Sequence, residues 1–128
     1  MNNVQTTGEK RIFLNFSNHP SAKWGEEQKT KAQEYGEITD LPFPMINPND
    51  SSEEVEKLAR KYADKILEMG KPENITVHIM GELVFTHKII LMLQKAGVKC
   101  LAATTERIVK EENDTKISIF KFVRFREF

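Results

Sequence analysis

The segment Ser17-Asn18-His19-Pro20-Ser21-Ala22-Lys23-Trp24 gathers in eight residues side chains able to bind a polar ligand and to move a proton. Ser17 and Asn18 offer hydrogen bonds to a sugar hydroxyl, a phosphate oxygen or a base edge, and His19 can donate, accept or exchange a proton near neutral pH. Pro20 belongs with them to a turn, Lys23 adds a point charge, and Trp24 adds a face for stacking. The competing reading is structural. Ser17 and Asn18 would then cap the following helix, and Trp24 would fill a gap beneath it.

Two shorter clusters could complete a site. In Met80-Gly81-Glu82 the glycine lets backbone approach a ligand closely, and the helix that follows presents free amides to an anion such as phosphate. Glu82 suits the positive end of that helix equally well as a first-turn acid, and Thr86 lies one turn on, where it can line a pocket floor. Thr104-Thr105-Glu106-Arg107 sets two hydroxyls beside a forked guanidinium able to hold a phosphate, or else forms a hairpin strand with an internal Glu–Arg pair. His19, His78, His87 and Cys100 lack paired ligand spacing, so no metal site and no cofactor are expected. Ser17 is outside any Gly-x-Ser-x-Gly elbow. Chemistry would fall to His19, Lys23 and Arg107, and His78 reads as a satisfied strand histidine.

The elements that must position these residues follow from periodicity. An apolar run at 12–16 is a strand that feeds the first cluster directly, 26–35 favours helix ended by Gly36, and 37–41 reads as a second strand stopped by Pro42, Pro44 and Pro48. Ser51 with Glu54 makes a capping box, after which Val55, Leu58, Ala59, Tyr62, Ile66 and Met69 form one apolar helical face closed by Gly70. Residues 75–80 alternate as a third strand. The helix at 83–96 is apolar almost all round, so it either lies under other elements or forms a subunit interface. A fourth strand at 98–103 and a polar turn at 111–116 lead to a last strand at 117–128, where four of the eight phenylalanines interleave with Lys121, Arg124 and Arg126.

The order β-α-β-α-β-α-β-β predicts a three-layer α/β sandwich with a mainly parallel sheet and a C-terminal antiparallel hairpin. If the second and third strands flank the first, the switch point opens a crevice at loops 17–24 and 80–86. Composition agrees with one domain over 11–128 preceded by a loose leader at 1–10. A chain of 128 residues buries about two-thirds of its unfolded surface without staples. The lone Cys100, with no signal-like or membrane-length apolar segment, leads us to expect a cytoplasmic protein without a membrane partner. Nineteen basic and nineteen acidic residues cancel, which excludes the broad positive field of a DNA binder.

The residues Phe16-Ser17-Asn18-His19-Pro20 with Trp24, Met80-Gly81-Glu82 and Ala103-Thr104-Thr105-Glu106-Arg107 resemble the small stand-alone accessory proteins of type III CRISPR loci, distant relatives of the CARF domain. The resemblance spans most of the chain from Arg11, and its strongest part is the Ser-Asn-His-Pro turn with a nearby Trp. It implies a Rossmann-like fold and a homodimer, with higher assembly on ligand binding as a further possibility. It also implies a cyclic oligoadenylate second messenger, cyclic tetra-adenylate by preference, bound across that dimer. Some proteins of this group cut the ring and others sequester it. The leading expectation is sequestration that damps antiviral signalling, with a metal-independent ring nuclease next. In that second case the ligand's own 2′-hydroxyl attacks the adjacent phosphate. A purely structural α/β interaction module is the third.

Overall fold

The computed structural model describes residues 10–128; most of the expected leader, residues 1–9, lies outside the described residues. β1 (Ile12–Ser17) buries Phe13, Leu14, Asn15 and Phe16 almost completely, as a strand covered on both faces must. β2 (Glu37–Asp40) pairs along one side of it and β3 (Ile75–Met80) along the other, both parallel. β4 (Lys99–Glu112) extends the sheet in parallel beyond β3, and β5 (Thr115–Glu127) closes the edge antiparallel to β4, giving the order β2-β1-β3-β4-β5. The condition for a switch point, the first strand flanked by the second and third, is therefore met.

Alternate residues of β1 and β3 build two separate cores. Leu14, Phe16, Val77 and Ile79 face α2 (Ser52–Leu67) and α3 (Leu83–Lys95), meeting Ala59, Ile66, Phe85, Ile89 and Leu93. Phe13 faces the other way, toward α1 (Glu26–Gln33), and packs with Trp24, Ala32, Leu101 and Phe125. Helices thus lie on both faces of a mostly parallel five-stranded sheet. The capping box is present at the start of α2: the Glu54 amide donates to Ser51 Oγ at 3.2 Å and the Ser51 amide donates to Glu54 Oε1 at 3.0 Å. The Ser51 amide donating to the carboxylate, followed by the Ser51 hydroxyl beside it, holds the Glu54 carboxyl below its ordinary pKa.

α3 shows how a helix apolar almost all round sits in this chain. Phe85, Ile89 and Leu93 are fully buried, whereas Leu83, Val84 and Leu91 on its outer side stay exposed. An outer layer covers a helix from one side only, so the remaining apolar stripe faces outward.

β4 does not stop at residue 103. It runs to Glu112, paired with β5 throughout, so 104–107 is part of a long hairpin arm and not a loop after a strand. Both faces of the outer arm meet solvent, which removes the alternation that would have revealed it. The arm turns at Asn113 and Asp114, whose φ angles of 50° and 67° match a two-residue hairpin turn. One irregularity interrupts the ladder: Thr104 pairs with Arg124 but Thr105 pairs with Phe122, leaving Val123 as the extra residue of a bulge. Phe122 and Phe125 consequently share a face, with ring centroids 4.9 Å apart. Of the described residues, no helix is long and apolar enough to cross a membrane.

Candidate functional site

Ser17 and Met80 are register partners, so β1 and β3 end side by side and their following loops leave the sheet together. A cavity of about 390 Å³ opens there, on the α1 side of the sheet. Ser17, Asn18 and His19 form its rim from the end of β1, and Gln28 reaches it from α1. His78 and Met80 of β3 with Ala103 and Thr105 of β4 make its floor, and Phe120 and Phe122 of the hairpin arm make the opposite wall. The lining therefore combines flat apolar surface with neutral hydrogen-bonding groups. It includes neither a carboxylate nor a Lys or Arg side chain.

Asn15 organises the rim from below. Its Nδ2 donates to the His19 carbonyl at 2.9 Å and to Asp40 Oδ1 at 3.1 Å, while its Oδ1 accepts from Ser17 Oγ at 2.7 Å and faces His78 Nδ1 at 3.0 Å. Ser17 Oγ in turn accepts from the His19 amide at 3.2 Å. Asp40 Oδ2 accepts from both the amide and the hydroxyl of Ser21, at 3.2 and 3.1 Å. The turn at 17–21 is thus tied down at both ends by one asparagine and one aspartate. Such a turn is held in shape before any ligand arrives.

His78 is only half satisfied. It is 2% exposed, its Nε2 has no partner, and burial together with the nearby charge of His19 lowers its pKa from 6.5 to about 4. Trp24 stands edge-on to its ring at 5.5 Å and Phe125 likewise at 5.5 Å.

The other expected site residues are dispersed. Trp24 is 4% exposed and packs edge-on against Phe13 with centroids 6.1 Å apart, so it belongs to the core and offers no free stacking face. Gly81 approaches the protein itself, because a Cβ there would run into the Phe43 ring. Glu82 caps α3, accepting from the Phe85 amide at 2.7 Å, so a carboxylate already fills the place expected for a phosphate. Thr86 is buried in α3 with an unpartnered hydroxyl. Lys23 is exposed in the 3₁₀ turn Ser21–Lys23, away from the cavity. Thr104 bonds the Arg124 backbone, and Arg107 donates to Ser118 Oγ at 3.1 Å farther out on the arm. Pro20 lines a second hollow of about 230 Å³ beside Asp40 and Phe43, and a third of about 330 Å³ lies between Met45 and Glu82. Asn18 borders all three.

Sequence reasoning missed Asn15, Asp40, Gln28, Phe120 and Phe122 as parts of the site, and read His78 as satisfied. The available signal was the parity of β1 and β3. Asn15 and Ser17 share a face with Phe13, and His78 and Met80 share one with Thr76, so polar groups were bound to gather on one side of the sheet end.

The family model of the uncharacterized protein MJ1673 family matches residues 11–126. No curated protein and no solved structure matches the chain.

Proposed function

Since this chain belongs to the uncharacterized protein MJ1673 family, we propose, from the resemblance of its motifs to type III CRISPR accessory proteins and from the cavity they border, that it binds a cyclic oligoadenylate, cyclic tetra-adenylate by preference, and sequesters it. The observation that carries the reading is the cavity at the paired ends of β1 and β3, with Asn18 joining it to two further hollows. A purine needs flat apolar walls, which Phe120, Phe122 and Met80 supply, and polar groups at its rim, which Ser17, Asn18, His19 and Gln28 supply. Several adjoining hollows suit a ligand with several bases. A mostly parallel sheet with β2 and β3 flanking β1 is also what a Rossmann-like, CARF-like domain requires.

Two copies would present such sites symmetrically to a ring of repeating units. The exposed stripe of Leu83, Val84 and Leu91 on α3 gives a homodimer apolar surface to bury. Sequestration accords with the lining better than rapid cleavage does. The cavity has neither a carboxylate nor a cation to stabilise a phosphorane, and His19 is the one histidine at its rim. In this reading the protein lowers the free messenger and damps type III CRISPR signalling. Incubation with radiolabelled cyclic oligoadenylates of several ring sizes, followed by native gel shift and product chromatography, tests it. A shift with intact ligand is expected; absence of any shift overturns the reading, and rapid linearisation replaces it with ring opening.

A further inference from the structure

We propose that His78 supplies the cavity with a fixed hydrogen-bond acceptor that selects adenine by its 6-amino group. The inference rests on the adenylate-binding reading above and names the atom that reads the base.

Asn15 Nδ2 faces two groups that only accept, the Asp40 carboxylate and the His19 carbonyl, at 3.1 and 2.9 Å. The amide nitrogen must therefore lie on that side, and Oδ1 must be the atom facing Ser17 and His78. An amide oxygen only accepts, so the ring nitrogen 3.0 Å from it, His78 Nδ1, carries the hydrogen. The buried ring is neutral near pH 7 and holds a single N–H. Nε2 is left as a bare lone pair, buried and without a partner, on a ring that lines the cavity floor.

A buried acceptor without a donor is an unusual thing for a fold to keep, and a ligand that brings an N–H removes the cost. The same cavity is lined by Phe120, Phe122, Met80 and Ala103, a setting for a planar base and a poor one for a ribose. Adenine offers a neutral N–H donor at its 6-position. A purine with hydrogen at that position stacks as well but has nothing to give. His78 is accordingly a specificity-determining acceptor. Its low basicity makes it unsuited to holding a proton taken from a hydroxyl.

The test compares cyclic tetra-adenylate with a cyclic tetramer of unsubstituted purine riboside, using the full chain and His78→Phe. The parent should bind the amino ligand more tightly by about tenfold or more, and the variant should bind both alike. Equal affinities in the parent overturn the assignment of His78 while leaving adenylate binding intact. Failure of the parent to bind either ligand overturns the functional reading and this inference with it. A second readout needs no variant: nitrogen-15 spectra of the parent should show Nδ1 protonated and Nε2 bare, with the Nε2 resonance moving upfield on addition of cyclic tetra-adenylate. A protonated Nε2 in the free protein, or an Nε2 signal unmoved by saturating ligand, sinks the proposal even if His78→Phe does not fold.

Discussion

Asn15 Nδ2 and Asp40 Oδ1 stand 3.1 Å apart across the β1–β2 boundary, and this contact ties the floor of the candidate site to its rim. Asp40 also holds Ser21 through two bonds, so one carboxylate restrains both ends of the turn containing Asn18 and His19. Asp40→Ala should leave the fold standing, since each exposed hydrogen bond contributes only about 0.5–1.5 kcal/mol. It should, however, loosen the turn. Hydrogen exchange at the His19 and Ser21 amides should accelerate, and adenylate affinity should fall; unchanged exchange would show that the turn is shaped by other contacts.

His78 makes stability depend on pH. Its pKa falls from 6.5 to about 4 on folding, so between those values the unfolded chain binds the extra proton. Stability is therefore full above pH 6.5, declines as pH falls, and has lost about 3 kcal/mol from this group by the time pH is below 4. Denaturant midpoints measured from pH 7 to pH 4 should drop in the parent. In His78→Phe the slope over that interval should be visibly shallower.

Gly81 and Phe43 form a contact that no larger residue at 81 can accept, because a Cβ would overlap the ring. Phe43 also packs at an angle against Phe16 and edge-on to Phe85, with both centroid distances 5.1 Å, so it cannot move aside cheaply. Gly81→Ala should destabilise the protein by about 1–3 kcal/mol. A thermal melt gives the answer directly, and an unshifted midpoint would mean that the 41–46 segment yields freely.

His19→Ala separates holding a messenger from opening it. In a sequestering protein the substitution should weaken binding modestly and leave ligand turnover negligible, as in the parent. If the parent instead converts cyclic ligand to linear products over many turnovers, and His19→Ala slows that conversion about a hundredfold with binding preserved, the protein is a ring nuclease.

Much of this architecture was legible in the residues. Gly36, Pro42 and Gly70 punctuate the elements and Ser51 and Glu54 announce α2, whereas the flanking of β1 by β2 and β3 entered as a condition that the structure meets. Ser17, Asn18 and His19, which stood out as a polar cluster directly after an apolar strand, do border the cavity. What stayed hidden depends on contacts distant in sequence. Nothing local in Gly81 tells a ligand from Phe43, and nothing local in Trp24 tells a stacking face from a core plug. Residues 104–107 could be read either as a loop or as a hairpin strand, because exposure on both faces erases periodicity.

The bulge at Val123 carries a meaning that composition does not. Strand parity would ordinarily send Phe125 and Phe122 to opposite faces, since three steps is an odd number. The extra residue resets the count, so Phe125 can anchor the core while Phe122 and Phe120 wall the cavity on the same side. The spacing of β5 is thus a reading frame for the site. Pairing Val123 with Thr105 in an unbroken ladder would leave every phenylalanine in the chain, yet turn Phe120 and Phe122 outward and bring Ile119 and Lys121 to the cavity side, whereas loss of Val123 would keep the rings where they are.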